Sequence, residues 1–402
     1  MNKLKIWVCG IFLSGLSLTM HAQNINKLIN KTTIDQKDFK ITFPIEVNGA
    51  SIFVKPTIKG KEYKMLFDTG AVTTISSEMK ESLRLKSIKE SKVYDIDDKS
   101  NKMMYVKIDT LSLEGINFYN VAAIDMDHKA VVAFKCKGFD GILGANVLRK
   151  VVWQIDMKAK TITFSNALNS LKISPNIPQI KLYIGVGGVP SITTYIGKEK
   201  VYNTVLDYGF DGGISMNSSL FIKLLKNKKD VKYIEGTGST LTGLYGDVIV
   251  PRYYTAVIDD LKIGDVIVPK DYVFFNTNYS RSIGASFLRN YKVTLSWKEK
   301  TMWLEPHERV NKEVYKGFGY RYALKGNNVY INSIYKNSEA AKKGLQLGDQ
   351  IVAINGVSYT DLNSEEQCKV LYSERGFTQD ITIKRGEVII NKKLEMREML
   401  TL

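Results

Sequence analysis

The sequence predicts a mainly β protein made of two similar halves followed by a distinct third unit. Three observations lead there. Strand-favouring Tyr, Val, Ile and Thr are plentiful in a chain that is 44% hydrophobic and 24% charged, a globular balance. Features between about residues 40 and 166 recur at a nearly constant offset between about 180 and 306. From about Val314 the pattern changes to one not seen earlier. At 402 residues the chain exceeds one ordinary core, so two or three domains are expected.

The start reads as a targeting segment. Met1-Asn2-Lys3-Leu4-Lys5 is basic, and Ile6 to Met20 is apolar but too short and too broken by Gly and Ser for a spanning helix. Ala22 offers a cleavage point, so residues 1–22 are expected to be a signal peptide and the protein to be exported, periplasmic or extracellular, with no transmembrane anchor. Loss of Lys3 and Lys5 lowers the formal charge of +16 by two. The remaining basic residues are spread along the chain, as on a solvated surface, and no compact nucleic-acid motif is present. Residues 23–38, polar and rich in Asn and Lys, are expected to be flexible.

Strand patterning begins at Phe39. Ile52-Phe53-Val54 leads to a hairpin turn at Lys59-Gly60-Lys61-Glu62, and the return strand Tyr63–Phe67 ends at Asp68. Ser77–Leu85 reads as a short helix. Val93–Ile96 and Met103–Ile108 flank a polar tip, a hairpin able to project. Val121–Ile124 is a strand. Gly141-Ile142-Leu143-Gly144 precedes a short helical stretch through Leu148-Arg149, and strands Val151–Ile155 and Thr161–Phe164 close a unit spanning 39–166. Residues 167–179, with Pro175 and Pro178, read as a linker.

The order then restarts in a second unit, 180–306. Val201–Leu206 ends at Asp207, Ser218–Leu225 reads as a helix, and a long hairpin has its tip near Thr242–Gly246. Asp68 and Asp207 lie 139 apart, as do Tyr63 and Tyr202, and Ser76 and Ser215. Gly144 and Gly284, Leu148 and Leu288, Arg149 and Arg289, Ile155 and Leu295, and Thr161 and Thr301 lie 140 apart. One net insertion in about a hundred residues marks an internal repeat. Two such units would face each other across a pseudo-dyad.

Several chemistries are excluded by what is missing. After residue 22 only His128 and His307 remain, both expected at the surface, with no His-Glu-x-x-His helix and no Gly-x-Ser-x-Gly elbow. No metal or other cofactor is expected. Cys136 and Cys368 fall in different expected domains, which argues against a disulfide. What remains is carboxylate chemistry: an apolar strand delivering Asp68 into a Gly-containing turn, and its echo at Asp207.

At Phe67-Asp68-Thr69-Gly70-Ala71 and Gly141-Ile142-Leu143-Gly144 the chain resembles the retropepsin-like aspartic proteases, in a bacterial two-repeat form covering roughly residues 40–306. The resemblance implies two acid-protease β-barrel lobes and a catalytic pair, Asp68 and Asp207, that shares one proton and activates a water to hydrolyse peptide bonds. It implies loop support from Thr69, Gly70 and Gly209, and a flap over the substrate, with Tyr245 near the tip of the second hairpin. The second half departs from the family. Tyr208 stands where the family has Thr or Ser, a ring too large for that buried slot, and Phe210 replaces a small residue. A shifted Asp207 is therefore expected, with Asp211 a lesser candidate. An inactive, protease-like peptide-binding scaffold is the alternative, and a site shared by two chains is a further one. The internal repeat favours a monomer.

From Val314 a second resemblance applies. Gly344-Leu345, Gly348-Asp349-Gln350-Ile351 and Ile354-Asn355-Gly356 resemble a PDZ domain over roughly residues 312–398, a small β-sandwich with short helices. In that family a Gly-Φ-Gly-Φ loop, here Gly317-Phe318-Gly319-Tyr320, holds a terminal carboxylate, and the peptide adds as a strand. The groove helix is expected at Ser364–Ser373. The partners implied are a peptide or protein substrate and a C-terminal peptide ligand.

Overall fold

The computed structural model describes residues 25–94, 100–227, 230–243, 246–277, 281–307, 314–373 and 376–402. Strands dominate throughout. The two repeats meet in a six-stranded sheet to which each gives three strands. Its order is Lys40–Pro44, Thr161–Ser165, Val152–Asp156, Tyr291–Ser296, Thr301–Pro306, Ile180–Lys181. At its centre Val152–Asp156 and Tyr291–Ser296 run antiparallel, with Gln154 opposite Thr294. These two residues are equivalent at the 140 offset, so the pseudo-dyad passes between them, and Gln154 Nε2 donates to Thr294 Oγ1 at 3.0 Å.

Above this sheet each repeat builds its own. In the first, Gly141–Gly144 is inserted parallel to Met65–Asp68 and antiparallel to Thr74–Ile75. In the second, Ser282–Gly284 lies in the same way between Glu199–Asp207 and Ile214–Asn217. Gly144 stands opposite Asp68, and Gly284 opposite Asp207. The sheets are open rather than the closed barrels expected. One continuous apolar core, from Phe43 to Leu304, runs through both repeats.

Pairing also corrects the alignment of the repeats. Ile142 pairs Thr74, while its equivalent Ser282 pairs Ser215. Six residues separate Asp68 from Thr74 and eight separate Asp207 from Ser215, so the second loop is longer by two. Ser76 therefore corresponds to Asn217, not Ser215. Both side chains accept from backbone at a helix start: Ser76 from Met79 N at 3.1 Å, Asn217 from Ser219 N at 2.8 Å.

Other expectations change. Residues 25–29, expected to be flexible, form a helical turn, because Ile25 and Ile29 bury against Tyr105 and Ile124. The helix after Ser76 is shorter than expected, Ser77–Ser82. His128 and His307 are covered rather than superficial. Asp127 caps a short turn that carries the His128 ring inward against Phe139, centroids 5.2 Å apart. His307 Nε2 lies 3.3 Å from Asp156 Oδ1.

The third unit has its own core, including Phe318, Val329, Ile351, Ile381 and Leu394. Its Gly-Asp motif is structural. Asp349 is buried, accepts two bonds from Arg385 at 2.7 and 2.8 Å, and takes Gln346 N at 2.8 Å. The groove helix, Ser364–Leu371, starts with a capping box between Asn363 and Glu366. This unit is fixed to both repeats. Asn328–Tyr335 pairs with Tyr233–Gly243 of the second, joining the two units in one sheet. Cys136 and Cys368 form a disulfide to the first, against expectation. The helix Val132–Lys137 packs on Ser364–Leu371, and Lys135 Nζ reaches Ser364 Oγ at 2.7 Å. Cysteines 232 residues apart report only on which faces meet after folding. No helix among the described residues is long and apolar enough to cross a membrane.

Candidate active site

Met65–Asp68 is a fully buried strand, Met-Leu-Phe-Asp, flanked on both sides. It carries the Asp68 carboxylate to the pseudo-dyad. There Asp68 Oδ1 accepts from Gly70 N at 2.7 Å, and Ala71 N–H also bonds the carboxylate. Asp207 is held in the same way, Oδ1 accepting from Gly209 N at 2.9 Å and Phe210 N at 3.0 Å. The shift expected for Asp207 is absent from its hydrogen bonding. The two carboxylates bond to each other.

The glycines make that approach possible. A Cβ on Gly70 would lie 2.5 Å from Asp207 Cγ, and one on Gly209 would lie 2.2 Å from Asp68 Oδ2. Each repeat's glycine is the floor beneath the other's carboxylate.

The loops are tied from one side only. Thr69 Oγ1 donates to Leu206 O at 2.6 Å and accepts from Tyr208 N at 3.1 Å. Tyr208 offers no matching hydroxyl. Its ring is buried edge-on to Phe67, centroids 5.8 Å apart, and Phe67 packs on Trp153 at 5.2 Å. The slot that would be too small for a tyrosine is avoided, because the ring turns down into the shared core. Its Oη has no partner among the described residues, and burial, followed by the Asp156 charge, holds the phenol well above its ordinary range.

Burial raises both carboxyls. Burial, then the Asp207 charge, raises Asp68 well above the usual carboxylate range. Burial also raises Asp207, opposed by the N–H groups of Phe210 and Gly209 and by the bond from Asp68. The pair therefore holds one shared proton over a pH range in which an isolated carboxyl would be ionised. Asp211 stands apart, ion-paired to Lys137 at 3.2 Å.

Two residues have roles at the site that the sequence did not assign to them. Asn146 Oδ1 accepts from both Thr73 N (2.8 Å) and Thr73 Oγ1 (2.7 Å), and its Nδ2 donates to Ala122 O at 2.9 Å. This buried network pins the first loop to the closing segment. An amide inside an otherwise apolar Ala-Asn-Val-Leu turn was the available signal. His128 bonds Thr74 Oγ1 at 2.6 Å, and burial lowers its pKa to about 4, so it is neutral. Tyr245 lies outside the described residues; the hairpin expected to carry it is Tyr233–Gly243 with Gly246–Ile258.

Residues 54–147 match the family model described as aspartyl protease, and residues 309–384 match the PDZ domain. The chain joins an aspartyl protease-type domain to a PDZ domain. A similar solved structure is basic 7S globulin from soybean, 9% identical, with a TM-score of 0.39, covering 66% of this chain and 94% of that one.

The expected PDZ loop residues come together. Gly317, Phe318, Gly319 and Tyr320 line a cavity of about 370 Å³ with Tyr315, Tyr322, Leu371, Met396 and Met399 among its walls. Phe318 O accepts from Ala340 N and Gly319 O from Tyr335 N, both at 2.9 Å. Gly319 sits at φ +84° against Ser338, where a Cβ would lie 2.0 Å from Ser338 Cβ.

Proposed function

We propose that the protein is an exported aspartic endopeptidase in which Asp68 and Asp207 hydrolyse peptide bonds, with the PDZ domain binding peptides. The observation that carries this reading is the reciprocal dyad: two carboxylates bonded to each other, each held by two backbone N–H groups of its own loop at equivalent positions and seated on the opposite glycine. The ionised carboxylate takes a proton from a water, and the water oxygen bonds the scissile carbonyl carbon. The protonated carboxyl gives its proton to the carbonyl oxygen. The tetrahedral intermediate then collapses, with a proton passing to the leaving nitrogen. Thr69, Gly70 and Gly209 support the loops. Tyr245 and its hairpin take the flap role, excluding water from the bound peptide.

One chain supplies both carboxylates, which favours an intramolecular site over one shared by two copies. The inactive-scaffold alternative loses its main support, since Tyr208 leaves the backbone hold on Asp207 intact. Export is supported by the Cys136–Cys368 disulfide, a bond that persists in oxidising compartments, together with the signal-like residues 1–22.

The deciding experiment is hydrolysis of a peptide library by wild type, Asp68→Asn and Asp207→Asn. Both variants are expected to lose cleavage. Full activity in Asp207→Asn would remove the intramolecular dyad.

A further inference from the structure

One helix of the first repeat has no room for a counterpart in the second. Residues 126–140 stand between the strand Ile116–Asp125 and the closing segment Gly141–Gly144. Only 277–281 stand between the equivalent strand Asp271–Asn276 and Ser282–Gly284. The longer stretch carries the helix Val132–Lys137. Gly138, left-handed at φ 62°, ends it and turns the chain back to Asp140. Asp140 is tied beside the Asp68 strand: its N donates to Lys64 O at 2.7 Å, and Lys64 N donates to its Oδ2 at 2.9 Å. The helix therefore ends at a fixed point, with Lys137 as its last residue.

From there Lys137 reaches into the second repeat. Its Nζ donates to the buried Ser51 Oγ at 2.9 Å and lies 3.2 Å from Asp211 Oδ2, with the lysine side chain 14% exposed. Asp211 stands four residues past Asp207, on the loop whose N–H groups hold that carboxylate. This loop has a thinner tie to its own closing segment than the first loop has. The first is pinned by the Asn146 amide, which bonds Thr73 twice and Ala122 O once. The residue 140 further on is Ser286, whose hydroxyl has one proton to give and donates it to Asp211 O at 2.6 Å. The cation from the first repeat adds a hold that this serine does not supply.

The helix is itself held by the PDZ domain. It has six residues, none fully buried, and no side-chain cap at its start, so it is too short to stand alone. Cys136, next to Lys137, is bridged to Cys368 of the groove helix. Lys135 Nζ donates to Ser364 Oγ at 2.7 Å, and Tyr372 Oη to Ala133 O at 3.4 Å. We propose that Lys137 is a positioning residue for Asp207, and that the PDZ domain is the anchor that holds Lys137 in place. The anchor role needs no peptide in the PDZ groove, and the inference rests on the peptidase reading only for its effect on cleavage. The ammonium fixes Asp211 and with it the loop around Asp207. It also offsets the Asp211 charge, which adds to burial in raising Asp207. The other groups facing these two carboxyls are Asp68 at Asp207 and Tyr372 at Asp211, where burial and then the Asp211 charge raise the phenol.

The test uses the full chain. Dyad titration is read by carbon-13 NMR of labelled aspartate carboxyls, with Asp207→Asn assigning the signal, and cleavage by kcat/KM of one reporter peptide against pH. Lys137→Met keeps the apolar stem and removes the charge. It should raise both apparent pKa values of the pair and lower kcat/KM about tenfold, as loss of a hydrogen bond to a charged group does. Adding Asp211→Asn should return the titration towards wild type and leave kcat/KM low, and Lys137→Arg should keep both near wild type. Cys136→Ser/Cys368→Ser should move both readings in the direction of Lys137→Met and add nothing when combined with it. A merely structural lysine would lower stability and activity without moving the titration, so an unmoved titration in folded Lys137→Met overturns the proposal. If that variant does not fold, Asp211→Asn decides: lowered pKa values of the pair uphold the proposal, and unmoved ones overturn it. Cysteine variants that match wild type in both readings remove the PDZ anchor. A shifted titration in a protein that cleaves no peptide would uphold the positioning role and remove the peptidase reading. Cleavage with an unmoved titration would do the reverse.

Discussion

Placing one methyl group at the dyad gives the sharpest test of the site. Gly70 and Gly209 are both outside the left-handed region, so alanine strains neither backbone. What alanine meets is the opposite carboxylate. The Gly70 Cβ would lie 2.5, 2.6 and 2.7 Å from Asp207 Cγ, Oδ1 and Oδ2, and the Gly209 Cβ 2.2, 2.3 and 2.6 Å from Asp68 Oδ2, Cγ and Oδ1. An ordinary contact begins near 3.4 Å, so each carboxylate must retreat by about 1 Å. A misplacement of about 1 Å costs on the order of 100-fold in rate, about 2.7 kcal/mol of barrier. Gly213→Ala is the control: it lies on the same second loop, with no atom within 4 Å of its Cβ and no positive φ. Peptide hydrolysis should fall about 100-fold in kcat/KM in Gly70→Ala and Gly209→Ala and stay near wild type in Gly213→Ala. Circular dichroism melts should show all three folded. Wild-type activity in both dyad variants would refute the assignment of the reacting groups to this contact.

Tyr208→Phe should leave activity intact and keep or raise the melting temperature, because the buried Oη has no partner among the described residues; Tyr208→Ala should cost roughly 3–5 kcal/mol through the cavity beside Phe67. His128 is neutral when folded, with a pKa lowered to about 4 against 6.5 unfolded. Its contribution is therefore complete above pH 6.5 and lost as pH falls through about 4, up to about 3 kcal/mol. Melting of wild type should drop more steeply than that of His128→Gln across that window. Asp68 has the opposite sign. Its raised folded pKa gives stability that is present below the unfolded value near 4 and lost as pH rises through the folded one. Asp68→Asn should melt above wild type at neutral and alkaline pH, with the gap closing at about pH 3.

Much of this was legible in the sequence because the repeat is a pattern in the chain itself. The offset of 139 to 140 located both Asp loops, both closing segments and the central strands of the six-stranded sheet. It could not locate the two extra residues after Asp207, since a loop insertion leaves apolar periodicity unchanged and shows only in which residues pair. The steric expectation for Tyr208 failed for a related reason. Ring size is written in the sequence, but the direction in which a ring leaves the loop depends on space beneath it, here against Phe67 and Trp153.

The sequence by itself determined the mainly β class, the duplicated half, the two carboxylates and the PDZ-like third unit, because each depends on local pattern or on residues close in the chain. Only the tertiary structure decided the contacts between distant faces: the mutual bond of Asp68 and Asp207, the inward turn of His128, the Cys136–Cys368 bridge and the strand shared by hairpin and PDZ domain. Those depend on which surfaces meet once the chain has folded. Asp68 and Asp207 can be named from the sequence, but the reciprocal seat on Gly70 and Gly209 exists only where the two loops close on each other.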